Sequence, residues 1–194
     1  PGTPTTSVAA GVLRTPTLDR LAAEGRKLSS YYVQPLCSPT RAAILTGRYP
    51  QHTGIGPDVI EISQPYGLPA REVLLPELLR QFGNYSTHMI GKWHLGDHPE
   101  FMPTNHGFDS YFGIPYSNDM NRKEVPLPLV RDLSVIEDSV QKDTTITARY
   151  TKEAISFIKK NSKKPFFLYL PHTAVHLPLV PGKKFKGTRK GGAY

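Results

Sequence analysis

The sequence predicts an α/β layered fold with a largely parallel central sheet. Three observations predict it. Helical and strand-like segments alternate along most of the chain, separated by glycine- and proline-rich connections. Phe166 to Leu170 is a continuous apolar run, the pattern of a strand covered on both faces. Cys37, Lys92, His94 and His176 each stand just past a predicted strand, at the sheet edge where open α/β folds gather their ligands.

The elements follow in order. Residues 1–11 are small and polar, without a clear period, and read as an irregular tail. Thr15-Pro16 opens a helix, with Thr15 as a cap and Pro16 at the first helical position. Leu18, Leu21 and Ala22 form its apolar stripe, and Gly25 stops it. Leu28 to Val33 is tyrosine-rich and predicts a short strand leading to Cys37. A second helix begins near Cys37 and Pro39, has Ala42, Ala43, Ile44 and Leu45 as its apolar body, and ends at Gly47. Tyr49 to Ala70 is mostly loop. Leu75 to Gly83 predicts a helix with proline at its start and glycine at its end. Tyr85 to Ile90 predicts a strand that runs into Gly91-Lys92-Trp93-His94-Leu95-Gly96. Asp97 to Asp132 predicts a long irregular stretch of functional character. Thr144 to Asn161 repeats Ile146, Tyr150, Ala154, Phe157 and Ile158 at helical spacing. Phe166 to Leu170 is the last strand, and residues 182–194 form a basic, exposed tail.

With 194 residues the chain can bury one core but not two large ones. It is accordingly taken as a single domain over 1–194. The formal net charge is +8. Much of it sits late, in Lys159, Lys160, Lys163 and Lys164, and again in Lys183, Lys184, Lys186, Arg189 and Lys190. A solvated basic face accounts for such runs, as does attraction to an anionic substrate. No zinc-finger spacing, basic heptad or RNP-like aromatic run accompanies the charge, so no nucleic-acid partner is expected. The single cysteine excludes an internal disulfide framework. No apolar run is long enough for a membrane span, and no signal-peptide pattern opens the sequence.

The chemistry-bearing residues are few. Cys37, at a helix N-terminus with Arg41 one turn inside, could serve as a thiolate nucleophile or be an inert buried thiol. The same place suits an anion, which a helix N-terminus and a forked guanidinium both favour. Lys92 and His94 lie two apart and would share one side of an extended segment. The lysine would neutralise anionic charge and the histidine could move a proton. His172 and His176 are four apart, but Pro171 and Pro178 argue against a helix, so the pair alone is not a zinc site. Ser117 is a possible hydrogen-bond donor.

Cys37-Ser38-Pro39-Thr40-Arg41, followed by Leu45-Thr46-Gly47-Arg48, resembles the sulfatase signature C-x-P-x-R-x-x-x-L-T-G-R. Gly91-Lys92-Trp93-His94-Leu95-Gly96 is similar to that family's second signature. Thr15 to Ala22 and Gly107-Phe108-Asp109 also fit. Gly113-Ile114-Pro115-Tyr116-Ser117, Phe166-Phe167-Leu168-Tyr169 and His176-Leu177-Pro178 resemble the arylsulfatase A and N-acetylgalactosamine-6-sulfatase branch of the formylglycine-dependent type I sulfatases.

The resemblance implies an alkaline-phosphatase-like α/β/α sandwich and hydrolysis of aryl or carbohydrate sulfate esters. It implies that Cys37 is oxidised to formylglycine by a formylglycine-generating enzyme, and that the hydrated aldehyde is the nucleophile and one ligand of a calcium ion. Arg41 would stabilise the hydrate. Lys92 and His176 would hold sulfate oxygens, His94 would fix a hydroxyl of residue 37, and Ser117 would support the site. Protonation of the leaving alcohol would fall to His176 or to a lysine beyond this sequence. A sulfated small molecule or glycan is the expected substrate, and a secreted, periplasmic or lysosomal setting is implied. The family's Asp-Asp and Asp-Asn calcium ligands have no counterpart here, so a chain truncated at both ends, weak or inactive alone, is expected. Two alternatives stay open: a non-catalytic homologue that binds sulfated ligands, and a phosphodiester or phosphonate hydrolase on the same scaffold.

Overall fold

The computed structural model describes residues 15–120 and 125–188. The described residues divide into two compact units, 15–33 in the smaller and 34–120 with 125–188 in the larger. The tail expected over 1–11 and the end of the basic tail, 189–194, lie outside the described residues.

In the smaller unit, helix α1 spans Pro16–Glu24. Proline suits its first turn, where the absent N–H leaves no bond unmade. The Thr15 hydroxyl does not cap the backbone; it donates to the Asp19 carboxylate at 3.0 Å. No α1 residue is buried, and Leu18 and Leu21 of the expected stripe are exposed. The strand expected at Leu28 to Val33 is not formed. That segment is turn and irregular backbone, and Tyr31, Tyr32 and Val33 stand exposed. Aromatic β-propensity reflects packing on a pleated surface, and here there is no ladder to join.

The larger unit is built on a five-stranded sheet. Its strands are β1 (Ser86–Lys92), β2 (Ser110–Ile114), β3 (Leu129–Arg131), β4 (Ser134–Glu137) and β5 (Phe166–Tyr169), in the spatial order β4-β3-β2-β1-β5. β1 pairs in parallel with β2 and with β5, while β3 and β4 add an antiparallel hairpin at one edge. The stretch Asp97 to Asp132, expected to be irregular, thus contains β2 and β3. β5 is half-buried rather than fully covered, because it lies at the sheet's other edge.

Strand alternation sorts the core into two faces. Met89, Tyr111, Val130, Phe167 and Tyr169 join one cluster with Ala42, Leu45, Leu74 and Trp93. Ile90, Phe112, Ile114, Leu168 and Leu170 join the other with Tyr150 and Ala154. Helix α2 (Cys37–Thr46) therefore packs on one face and α5 (Ile146–Lys160) on the other. This is a helix–sheet–helix sandwich. α3 (Pro50–Thr53) and α4 (Leu75–Gly83) are the other α-helices among the described residues. No helix among the described residues is long and apolar enough to cross a membrane.

β1 is the pivot of this topology. The chain leaves it on one side through β2, β3 and β4, and returns through α5 to β5 on the other. A crevice at the carboxyl end of such a strand is the usual ligand position in open α/β sheets. Lys92 is the last residue of β1.

Candidate active site

Four segments meet above the carboxyl ends of β1, β2 and β5. α2 contributes Cys37 and Arg41. The helix begins at Cys37 after an extended Leu36, and its first bond runs from Thr40 N–H to Leu36 C=O at 3.2 Å. The Ser38 hydroxyl accepts from Ile60 N–H at 3.0 Å, fixing this first turn against the following loop. Gly47 ends the helix in the left-handed conformation, with its N–H on Ala43 C=O. Cys37 thus sits at the positive end of the helix dipole.

β1 delivers Lys92, which is 2% exposed. Its height is set by Gly91, which has φ +118° and passes so close to the Pro171 carbonyl that a β-carbon would collide with it. Lys92 N–H then donates to Pro171 C=O at 3.0 Å, tying β1 to the segment that follows β5. The Lys92 ammonium stands 3.4 Å from Cys37 Sγ and donates to Ser117 Oγ at 2.9 Å. Arg41 reaches the same place from α2. Its Nη1 donates to Lys92 C=O in a short bond and faces Trp93 C=O at 3.5 Å. Burial depresses both cations' pKa values; Arg41 lowers Lys92 further, while Cys37 acts in the opposite direction on each. Two partly desolvated cations beside one helix N-terminus make a strong anion site.

His94 departs from the strand alternation that would place it on the Lys92 side. β1 ends at Lys92, and His94 adopts φ +63°, a left-handed conformation uncommon outside glycine and concentrated at functional sites. Its N–H on Pro115 C=O at 2.9 Å holds that turn. Its Nε2 faces Ile60 C=O at 3.2 Å. A carbonyl only accepts, so Nε2 carries the proton and Nδ1 keeps its lone pair. Nδ1 is buried without a hydrogen-bond partner. Burial, then the Lys92 and Arg41 charges, push the His94 pKa down to about 3, so the ring is neutral at physiological pH.

β2 delivers Ser117, and β5 delivers His176, whose side chain is 39% exposed. His176 meets the others through two residues that sequence reasoning did not place here. Asn118 Nδ2 donates to Pro178 C=O at 3.2 Å and faces His176 C=O at 3.5 Å. Asp119 Oδ1 lies 3.8 Å from His176 Nδ1. The available signal was adjacency: both residues directly follow Ser117. Direct contacts thus join Cys37, Arg41, Lys92 and Ser117. His94 and His176 adjoin them, and His172 packs against Tyr150, with ring centroids 6.4 Å apart.

No group of three or more His, Cys, Asp or Glu side chains among the described residues could hold a metal ion. These residues do not by themselves make the calcium site that the family resemblance implies. The unpartnered Nδ1 of His94 is a different matter. It is a buried acceptor, the group needed to receive a hydroxyl such as that of a hydrated aldehyde.

Comparison with known proteins agrees with the motifs. The chain is 38% identical to human N-acetylgalactosamine-6-sulfatase over 200 residues, covering 93% of this chain and 38% of that one. It is 39% identical to bovine arylsulfatase A, covering 93% of this chain and 40% of that one, and 41% identical to mouse arylsulfatase J, covering 91% and 31%. The chain thus spans well under half the length of these relatives. Among solved structures, the PsFucS1 sulfatase from Pseudoalteromonas sp. superposes with a TM-score of 0.76 at 29% identity, over 93% of this chain and 42% of that one. Ps i-CgsB gives 0.73 at 33%, over 87% and 41%. The helix–sheet–helix architecture is the alkaline-phosphatase-like fold these structures share. The Sulfatase family matches residues 4–193, and the chain belongs to that family.

Proposed function

We propose that this chain carries the nucleophile end of a sulfuric ester hydrolase acting on aryl or carbohydrate sulfates. The observation that carries the reading is Lys92. Its buried ammonium lies within reach of both Cys37 Sγ and Ser117 Oγ, beside the Arg41 guanidinium, so a tetrahedral anion attached at residue 37 would be met by two cations and a hydroxyl.

Residue 37 as formylglycine supplies a hydrated aldehyde whose hydroxyl attacks sulfur, and Cys37 Sγ stands where one hydrate oxygen would be. Lys92 neutralises the sulfonate oxygens as the ester S–O bond breaks, and Arg41 holds the residue-37 hydrate. These fixed charges need no reorganisation during the reaction. His94, neutral and with Nδ1 unpartnered, accepts a hydroxyl proton of residue 37 in a hydrogen bond. Ser117 orients Lys92. His176 donates its Nδ1–H to Leu177 C=O at 2.7 Å, so as an imidazolium it has Nε2–H to donate to sulfate or to the leaving alcohol.

The test is co-expression with a formylglycine-generating enzyme, intact-mass analysis of the Cys37 peptide, and turnover of 4-nitrophenyl sulfate beside Cys37→Ala. Conversion at Cys37 with Cys37-dependent turnover supports the reading, and a calcium chelator in the same assay tests the implied cation. An unconverted thiol in a chain that still binds sulfate would replace it with a sulfated-ligand-binding homologue. Preference for a phosphate diester would replace it with a phosphohydrolase.

A further inference from the structure

Ser117 and His176 reach the site from loops that the sheet ladder does not join. Ser117 follows β2 and His176 follows β5, with β1 between them. Each loop closes on itself: Met120 N–H donates to Ser117 C=O at 3.0 Å, and His176 N–H donates to Thr173 C=O at 3.2 Å. Asn118 crosses from one loop to the other. Its Nδ2 donates to Pro178 C=O at 3.2 Å and faces His176 C=O at 3.5 Å. The partners fix which way the amide points, since a carbonyl only accepts and only the NH2 end of the amide can donate. Asn118 is 6% exposed, and its Oδ1 is buried without a hydrogen-bond partner. A buried acceptor left unpaired costs about as much as one neutral hydrogen bond gains, so the side chain adds little net stability. What its N–H groups do is fix where the His176–Pro178 backbone lies relative to Ser117, one residue away.

We propose that Asn118 is a positioning residue for His176: its amide clamps the loop after β5 to the loop after β2, and so sets how far the His176 ring stands from the Ser117–Lys92 pair. The two bonds around His176 have separate effects. Nδ1–H on Leu177 C=O at 2.7 Å turns the ring within its own loop, whereas Asn118 places that loop. Lys92 donates to Ser117 Oγ at 2.9 Å and is held by β1, so the cation stays in place when the clamp is cut. Proton transfer is sensitive to displacements of about 1 Å. Cutting the clamp therefore impairs the proton donor while leaving the anion cradle intact. The consequence for turnover rests on the sulfate-ester reading, with His176 serving the leaving alcohol; the clamp itself does not.

The experiment is Asn118→Leu, which keeps the side chain's shape and removes the donors and the unpaired oxygen together. The urea midpoint, read by Trp93 fluorescence, should stay within about 0.5 M of the unaltered chain's. In the folded variant the His176 ring signals should shift in proton–carbon NMR spectra, with His176 assigned by His176→Gln, while those of His106, packed beneath Trp93, stay in place. With KM little changed, kcat should fall at least about 10-fold more on an alkyl sulfate than on 4-nitrophenyl sulfate, whose leaving group needs no proton. Unmoved His176 signals in a folded Asn118→Leu chain overturn the proposal, and so does an equal loss on both esters. If Asn118→Leu does not fold, the unaltered chain decides. Asn118 side-chain N–H groups protected from hydrogen exchange sustain the clamp, and exchange as fast as that of an exposed amide overturns it. Shifted His176 signals in a chain without sulfate-ester turnover would sustain the clamp and count against the sulfate-ester reading alone.

Discussion

Acid should destabilise this protein well before its carboxylates titrate, because burial holds His94 and His106 neutral and lowers the pKa of buried His88 in the same direction. The His94 pKa falls from 6.5 to about 3, through burial and then the Lys92 and Arg41 charges. His106 falls from 6.5 to about 4 through burial alone, with the Leu68 backbone acting weakly against it. His106 is fully buried beneath Trp93, and neither ring nitrogen makes a hydrogen bond of good geometry. In the folded state both rings stay neutral as the pH drops below 6.5, whereas in the unfolded chain both take up a proton. The unfolded state therefore binds more protons, and stability falls with falling pH, levelling near pH 4 for His106 and pH 3 for His94. At roughly pH 5 each histidine costs about 2 kcal/mol relative to neutral pH, so the pair costs about 4 kcal/mol. That is a large part of the ~5–15 kcal/mol that holds a typical domain. With a urea slope of about 2 kcal/mol/M, the midpoint should drop by about 2 M between neutral pH and roughly pH 5. The single tryptophan, Trp93, is fully buried against His106 and reports unfolding by fluorescence. His106→Leu should remove about half of the pH effect and change neutral-pH stability by only about 1 kcal/mol, since no hydrogen bond is lost. A midpoint that moves by less than about 0.5 M, or a pH effect untouched by His106→Leu, would refute the reasoning.

Three further outcomes can be checked. Lys92→Met should leave the chain folded, because it removes one of two mutually repelling cations, and should lower sulfate-ester turnover by about 100-fold or more; circular dichroism and initial rates on the same preparation decide. Cys37→Ala should abolish turnover while changing unfolding free energy by less than about 1 kcal/mol, since Cys37 is only half-buried. Arg48 pairs at 2.7 Å with Glu72, whose side chain is 1% exposed while that of Arg48 is 50% exposed. Arg48→Ala should therefore cost about 3 kcal/mol by leaving a buried carboxylate with Arg71 as its remaining ion-pair partner among the described residues, against about 1 kcal/mol for Glu72→Gln, measured by urea unfolding.

Much of the scaffold was legible because its signals are local. Gly47 after an apolar run, proline opening α4, the helical repeat of Ile146, Tyr150, Ala154 and Phe157, and the apolar run of β5 all mark elements that formed. The failures share a cause, since a strand exists only where a partner receives it. Leu28 to Val33 has the composition and no ladder. Ser110–Ile114 carries Gly113 and little periodicity, yet it becomes β2 because β1 lies beside it. The β3–β4 hairpin turns at Asp132, with φ +55°, where the usual glycine signal is absent. At the site, residues fixed by motif spacing were readable, whereas the Asn118 bond to Pro178 C=O was not, because it arises only when the segments after β2 and β5 are brought together. The His94 turn was hidden for a similar reason: left-handed backbone at a histidine has no composition of its own.

Gly91 also has a meaning in the language of alleles. Every missense change at codon 91 adds a β-carbon, and it adds it where the backbone is left-handed and the Pro171 carbonyl already fills the space. There is thus no conservative replacement at this position, and even alanine must push β1 away from the segment that carries His176. A saturation library scored for folded protein should show codon 91 as an empty column. Inherited variation in this gene would be silent at that codon or damaging, with nothing in between.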